Sequence, residues 1–164
     1  MKLESLKDLY LEQLKDLYSA ETQLIDALPK MAEAATTPEL KQAFQKHWEQ
    51  TQEHARRLEQ IFTGLAEKPT GQTCEGMKGL IKEGQEMIKM KGEPEVIDAG
   101  LIAAAQRVEH YEIAGYGTVR TYAELLGEQQ AVRLLEKILQ EEEETDERLT
   151  EIAESHINED AIAR

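Results

Sequence analysis

The stretch AEKPTGQTCEGMKGLIKEGQEMIKMKGE, residues 66–93, lies between two pairs of long apolar stripes and decides how they connect. At 28 residues it is too long for a tight turn between antiparallel helices and long enough to run the length of a bundle. Pro69 and Gly71 mark its loop, and Gly92 and Pro94 close it. Between them, residues 75–91 carry Met77, Leu80, Ile81, Met87 and Ile88 at helical spacing, which predicts a short amphipathic helix inside the connection.

On the N-terminal side, Leu6, Tyr10, Leu14, Leu17, Leu24, Leu28 and Met31 recur mostly every three or four positions and predict a helix over about 3–35. Pro29 lies inside it and is expected to kink it, because proline removes a backbone donor. Thr37-Pro38-Glu39 reads as a restart with Thr37 as N-cap, followed by a helix over about 38–65 on the stripe Leu40, Phe44, His47, Thr51, His54, Leu58, Ile61. On the C-terminal side, helices are expected over about 94–126 and 128–157, divided by Gly127, with the last residues fraying. Short loops within each pair make two antiparallel hairpins. The expected class is therefore all-α: a ferritin-like antiparallel four-helix bundle, with a long crossover carrying an extra short helix, as one domain over 1–164.

Composition supports long helices and removes several functional classes. Acidic residues number 33 against 19 basic ones, for a formal net charge of −14, which argues against a partner recognised by its phosphates, so no nucleic acid is expected. Cys74 is the one cysteine, which excludes an internal disulfide and a cysteine-based zinc site and points to a reducing, cytoplasmic setting. No apolar run approaches the ~20 residues of a membrane span, so no membrane partner is expected.

Each long stripe is interrupted by polar residues: Glu21; Thr51 and His54; Glu112; Glu142 and Thr145. Glu21 and Thr51 are 30 positions apart, as are Glu112 and Glu142; Glu21 to His54 and Glu112 to Thr145 are both 33. This repeat of one helical hairpin sets the interruptions at one level of the bundle. Buried carboxylates at one level cost several kcal/mol unless paired, protonated or bound to a cation. Carboxylate bundle proteins hold two metals with one Glu from each of two helices and a Glu-x-x-His from each of the others. Glu21, His54, Glu112 and Glu142 occupy four of those six roles, and Glu109 and Asp146 are candidates for the gaps. His47 is read as packed beside Trp48, Tyr18 as a neighbour of Glu21, and Cys74 as a bystander in a loop. A donor set rich in oxygen with histidine suits iron or manganese, and a protonated polar layer is the alternative.

The segments LYSAETQL (17–24), LIAAAQRVEHYEIAGYGTV (101–119) and LQEEEETDERLT (139–150) resemble the YciE/YciF family of bacterial ferritin-like stress proteins, most specifically in Glu109–Thr118. The resemblance covers nearly the whole chain. It implies a homodimer in the cytoplasm, a di-metal carboxylate site and a role in the stress response. It carries over to Glu21, Glu109, His110, Glu112, Glu142 and Asp146, whereas helix two departs from the family pattern at Gln50 and His54. Two functions follow as expectations. One is a dinuclear iron or iron–manganese protein with Glu21, His54, Glu109, Glu112, Glu142 and Asp146 as metal ligands, oxidising iron or removing peroxide. The other is a non-catalytic bundle with a degenerate site that binds a protein partner.

Overall fold

The computed structural model describes residues 2–163. Its elements are α1 (Leu6–Ala34), α2 (Pro38–Gly64), α3 (Glu75–Lys89), α4 (Pro94–Leu125) and α5 (Gln129–Ile152). The last runs through a π-helical turn, Ala153–Ile157, into a short α6 (Asn158–Ile162). There is no strand among the described residues, and no helix is long and apolar enough to cross a membrane. The long helices form a four-helix bundle in which α1 neighbours α2 and α4, and α5 neighbours α2 and α4. The crossover helix α3 lies outside, against α4 and α1.

The helix ends explain small departures from the sequence expectations. Ser5 starts α1 later than residue 3, its Oγ accepting the Asp8 N–H at 3.1 Å while Asp8 accepts the Glu4 N–H at 3.0 Å. Helix α1 continues through Pro29 to Ala34. Thr37 precedes α2 but makes no side-chain cap. Instead the buried Asp98 of α4 accepts the backbone N–H groups of Thr36 and Thr37 at 2.9 and 2.7 Å and the Thr36 hydroxyl at 2.8 Å, tying the α1–α2 loop to α4. At the end of α4, Gly127 adopts φ 76° while Glu128 N–H donates to Ala123 O at 2.9 Å, a glycine-terminated helix stop. The same stop ends α2 with Ala66 at φ 55° in the place glycine favours. At the C-terminus helical structure persists to Ile162 rather than ending near residue 157.

Cys74 is no bystander. It caps α3, accepting the Met77 N–H on Sγ at 3.3 Å, and is fully buried against Asp16 of α1 and Tyr111 of α4 at 3.1 and 3.0 Å. Its backbone N–H donates to Ser19 Oγ at 2.9 Å. Burial pushes its thiol pKa up, so its role is to anchor the crossover.

Two apolar cores stack along the bundle. One gathers Tyr10, Leu14, Leu58, Phe62, Val119 and Leu135; the other gathers Leu40, Phe44, Leu101, Leu149 and Ile152. The polar interruptions fall between them. A smaller cluster of Leu24, Leu28, Met77 and Val108 fixes α3 to the bundle. Together these clusters hold the polar layer on rigid helices and screen it from solvent.

Candidate metal centre

Six ionisable residues from four helices meet in that layer: Glu21 from α1, His47 and His54 from α2, Glu109 and Glu112 from α4, and Glu142 from α5. All are at most 2% exposed. Their donor atoms form two groups, each within 4.8 Å internally: His47, Glu109, Glu112 and Glu142, and Glu21, His54 and Glu142. Glu142 belongs to both. Ligands at about 2.0–2.2 Å from a divalent ion stand up to about 4.4 Å apart, so each group is close to the size that one ion requires.

The close contacts do not satisfy these atoms. His47 Nε2 stands 3.0 Å from Glu109 Oε1, and His54 Nδ1 stands 2.9 Å from Glu142 Oε1 and 3.4 Å from Glu21 Oε1, but none has hydrogen-bond geometry. Nine N and O atoms of the six side chains are buried without a hydrogen-bond partner: Glu21 Oε2, both ring nitrogens of His47, His54 Nδ1, Glu109 Oε2, and both oxygens of Glu112 and of Glu142. Carboxylate oxygens and imidazole nitrogens converging without hydrogen-bond geometry between them fit a cation better than they fit a hydrogen-bonded polar layer.

Electrostatics follow from this crowding. Burial pushes the Glu109 carboxyl up to about 8. Burial and then the Glu142 and Glu21 charges push Glu112 well above the ordinary range. Burial likewise raises Glu21 and Glu142 and lowers His47. Burial also opposes protonation of His54, but the charge of Glu21 and the contacts with Glu141 and Glu142 outweigh it and push it up to about 12. With no metal bound, these contacts favour the charged form of His54.

Around the six stands a supporting set. Glu141 accepts from His54 Nε2 at 2.8 Å and is held in turn by Arg57 Nη1 and Nη2 at 2.7 and 3.2 Å. Despite partial burial, these two partners hold the Glu141 carboxyl down to about 2. A carboxylate on one ring nitrogen fixes the tautomer and turns the other, Nδ1, toward Glu21 and Glu142, as in carboxylate–histidine–metal triads. The Tyr116 hydroxyl donates to Glu21 Oε1.

Of the residues expected at the site, the structure brings together Glu21, His54, Glu109, Glu112 and Glu142. Asp146 is placed apart, half-buried, with its carboxylate 3.2 Å from His110 Nε2 and 3.3 Å from Gln106 Nε2. Tyr18 donates to Glu59 at 2.8 Å, so the tyrosine beside Glu21 is Tyr116 and not Tyr18. His47, expected to pack beside Trp48, is instead a member of the cluster. Its signal was present: it lies seven positions, two helical turns, before His54 on the same stripe.

Comparison with known proteins agrees with this architecture. The family model described as "Domain of unknown function (DUF892)" matches residues 5–162. Protein YciF of Escherichia coli K12 is 44% identical over 162 residues, 98% of each chain. The crystal structure of that E. coli stress protein superposes with a TM-score of 0.92, covering 95% of this chain and 99% of the other. YcfI of Rhodopseudomonas palustris, also 44% identical, gives 0.88 over 91% and 95% of the two chains. A protein of Xanthomonas campestris pv. campestris, 25% identical, gives 0.72 over 96% and 94%. The resemblance read from residues 101–119 is borne out, as is the all-helical bundle.

Proposed function

The chain belongs to the DUF892 family, and from that premise we propose that its carboxylate layer is a dinuclear centre for iron or manganese, serving a stress response by consuming an oxidant or oxidising iron. The nine buried, partnerless donor atoms carry this reading. Two divalent cations would neutralise the four buried carboxylates and give one donor atom of each of the six side chains a partner. His47, Glu109, Glu112 and Glu142 would hold one ion; Glu21, His54 and Glu142 would hold the other, with Glu142 shared. Oxygen donors in excess over imidazole favour iron or manganese over zinc or copper.

When bound, such a pair supplies one-electron redox chemistry toward dioxygen or peroxide. The chain's own groups do the rest. Glu141 and Arg57 orient His54, Tyr116 orients Glu21 and stands ready with a hydroxyl proton, and the two apolar cores keep bulk water out. The same reading takes residues 1–164 as one domain, acting as a homodimer in the bacterial cytoplasm, in line with the family resemblance. The two ligand roles that spacing alone leaves unfilled favour a partner-binding bundle with a degenerate site. That alternative loses support once His47 and Glu109 complete a set of six.

Metal analysis of protein purified without chelator tests the reading. About two ions per chain are expected, and Glu21→Ala with Glu112→Ala should abolish them. Negligible iron and manganese in the parent protein, unchanged by the double substitution, would remove the proposal.

A further inference from the structure

An apolar cavity of about 40 Å³, partly open to solvent past Lys30 and Gln85, lies beneath the crossover helix, between α3, α1 and α4. Its walls include Leu28, Ile81, Ile88, Ala105 and Val108, and at one point it is bounded by Glu109. That carboxyl reaches the other way to His47 Nε2 at 3.0 Å, so one wall of the cavity is a member of the metal cluster. The only other polar side chains lining it are Lys30 and Gln85, which are exposed and half-buried respectively. Helix α3 covers it with Met77 and Gly84 buried and with Leu80, Ile81, Met87 and Ile88 packed against the apolar clusters.

We propose that this cavity is a binding site for dioxygen that passes the gas to the Glu109 side of the cluster. The proposal rests on the dinuclear reading above and names the oxidant. Three features select the ligand. Water or hydrogen peroxide needs two to four hydrogen-bond partners, and a cavity lined by aliphatic side chains offers almost none. A site that holds a water needs about 10–15 Å³ by the same measure, so this cavity has room for a diatomic gas molecule or a xenon atom. And its one buried polar boundary, Glu109, is part of the cluster where an oxidant would be used.

Gly84 provides the means to close it. A Cβ built there meets only Met31 Sδ, at 3.7 Å, so Gly84→Ala fits in ordinary contact while Gly84→Leu extends into the cavity. Both replace a helical glycine and should favour α3. Ala104→Leu fills the same space from α4, should Gly84→Leu disturb the crossover.

The test has two readouts. Crystals under xenon pressure should show one xenon in the cavity of the parent protein and of Gly84→Ala, and none in Gly84→Leu or Ala104→Leu. In iron-loaded protein, two electrons from a ferrous pair and two protons from solvent convert one dioxygen to hydrogen peroxide. The rate of dioxygen loss should fall about tenfold in the two leucine variants, equivalent to one step in the rate constant at 1.36 kcal/mol. Added hydrogen peroxide should oxidise the iron at the parent rate. An empty cavity under xenon overturns the proposal, as does an unaltered dioxygen rate in variants whose cavity is filled. Failure of the parent protein to bind iron instead overturns the dinuclear reading, and the delivery role with it, even where xenon binds.

Discussion

The Trp48 indole N–H donates to the Ile25 carbonyl at 3.0 Å, and this is the carbonyl that Pro29, four residues on, cannot serve. Proline inside α1 removes a hydrogen bond, and a side chain from α2 replaces it. The substitution also ties α1 to α2 a little over one turn beyond Glu21. It explains how α1 runs on to Ala34 and why the residue beside His47 is an indole, a ring with a donor on its edge.

Trp48→Phe should keep most of the ring packing and orphan the Ile25 carbonyl. The expected loss is about 1 kcal/mol, or ~3 °C in Tm for a chain of this size. In a Pro29→Ala background the new backbone N–H takes over the carbonyl, and the cost of Trp48→Phe should shrink by roughly half or more. Equal losses in both backgrounds, read by thermal melts, would show that the indole acts through packing alone.

Glu141→Gln retains an acceptor for His54 Nε2 but removes the charge that Arg57 grips in two places. The imidazole becomes a weaker and less firmly oriented ligand. Iron or manganese affinity should drop about 10–100-fold in competition with a calibrated chelator. An unchanged affinity would separate Glu141 from the metal centre.

The pH dependence of stability has a definite sign. Glu109 titrates near 8 in the folded chain against 4.5 ordinarily, and His54 near 12 against 6.5. Both folded values lie above the unfolded ones, so the native state holds more protons, and metal-free stability declines as pH rises through those windows. His47, lowered by burial, acts in the opposite direction only below its ordinary 6.5. From pH 6.5 to 8 the Glu109 and His54 effects therefore add, and the Tm of chelator-treated protein should fall by several degrees. Metal takes the place of those protons, so the metal-loaded protein should fall less and the gap between the two melts should widen. Parallel curves with and without chelator would contradict this.

The sequence showed the bundle because helical periodicity is strong over four long segments and because residues 66–93 are too long for a turn. It also showed Glu21, His54, Glu112 and Glu142, because a repeated spacing of 30 and 33 reports register as well as polarity. Glu109 came from its position one turn before Glu112. What stayed hidden depends on pairs distant in sequence. Asp98 caps a loop 61 and 62 positions away, and Tyr116 reaches Glu21 across 95. Cys74 sits in what reads as a polar loop and is buried because Asp16 and Tyr111 close over it. Asp146, one turn after Glu142, shares a helix with it, but its carboxylate faces His110 and Gln106. His47 was legible on its stripe, and the adjacent tryptophan drew it toward a packing role.

Anomalous diffraction from crystals of protein purified without chelator, recorded at the iron and manganese edges, tests the dinuclear centre most directly. Two peaks are predicted, one among His47, Glu109, Glu112 and Glu142 and one among Glu21, His54 and Glu142, with the Glu142 carboxylate between them. Ordered water or paired carboxyls at both positions, with no anomalous signal at either edge, would contradict the account.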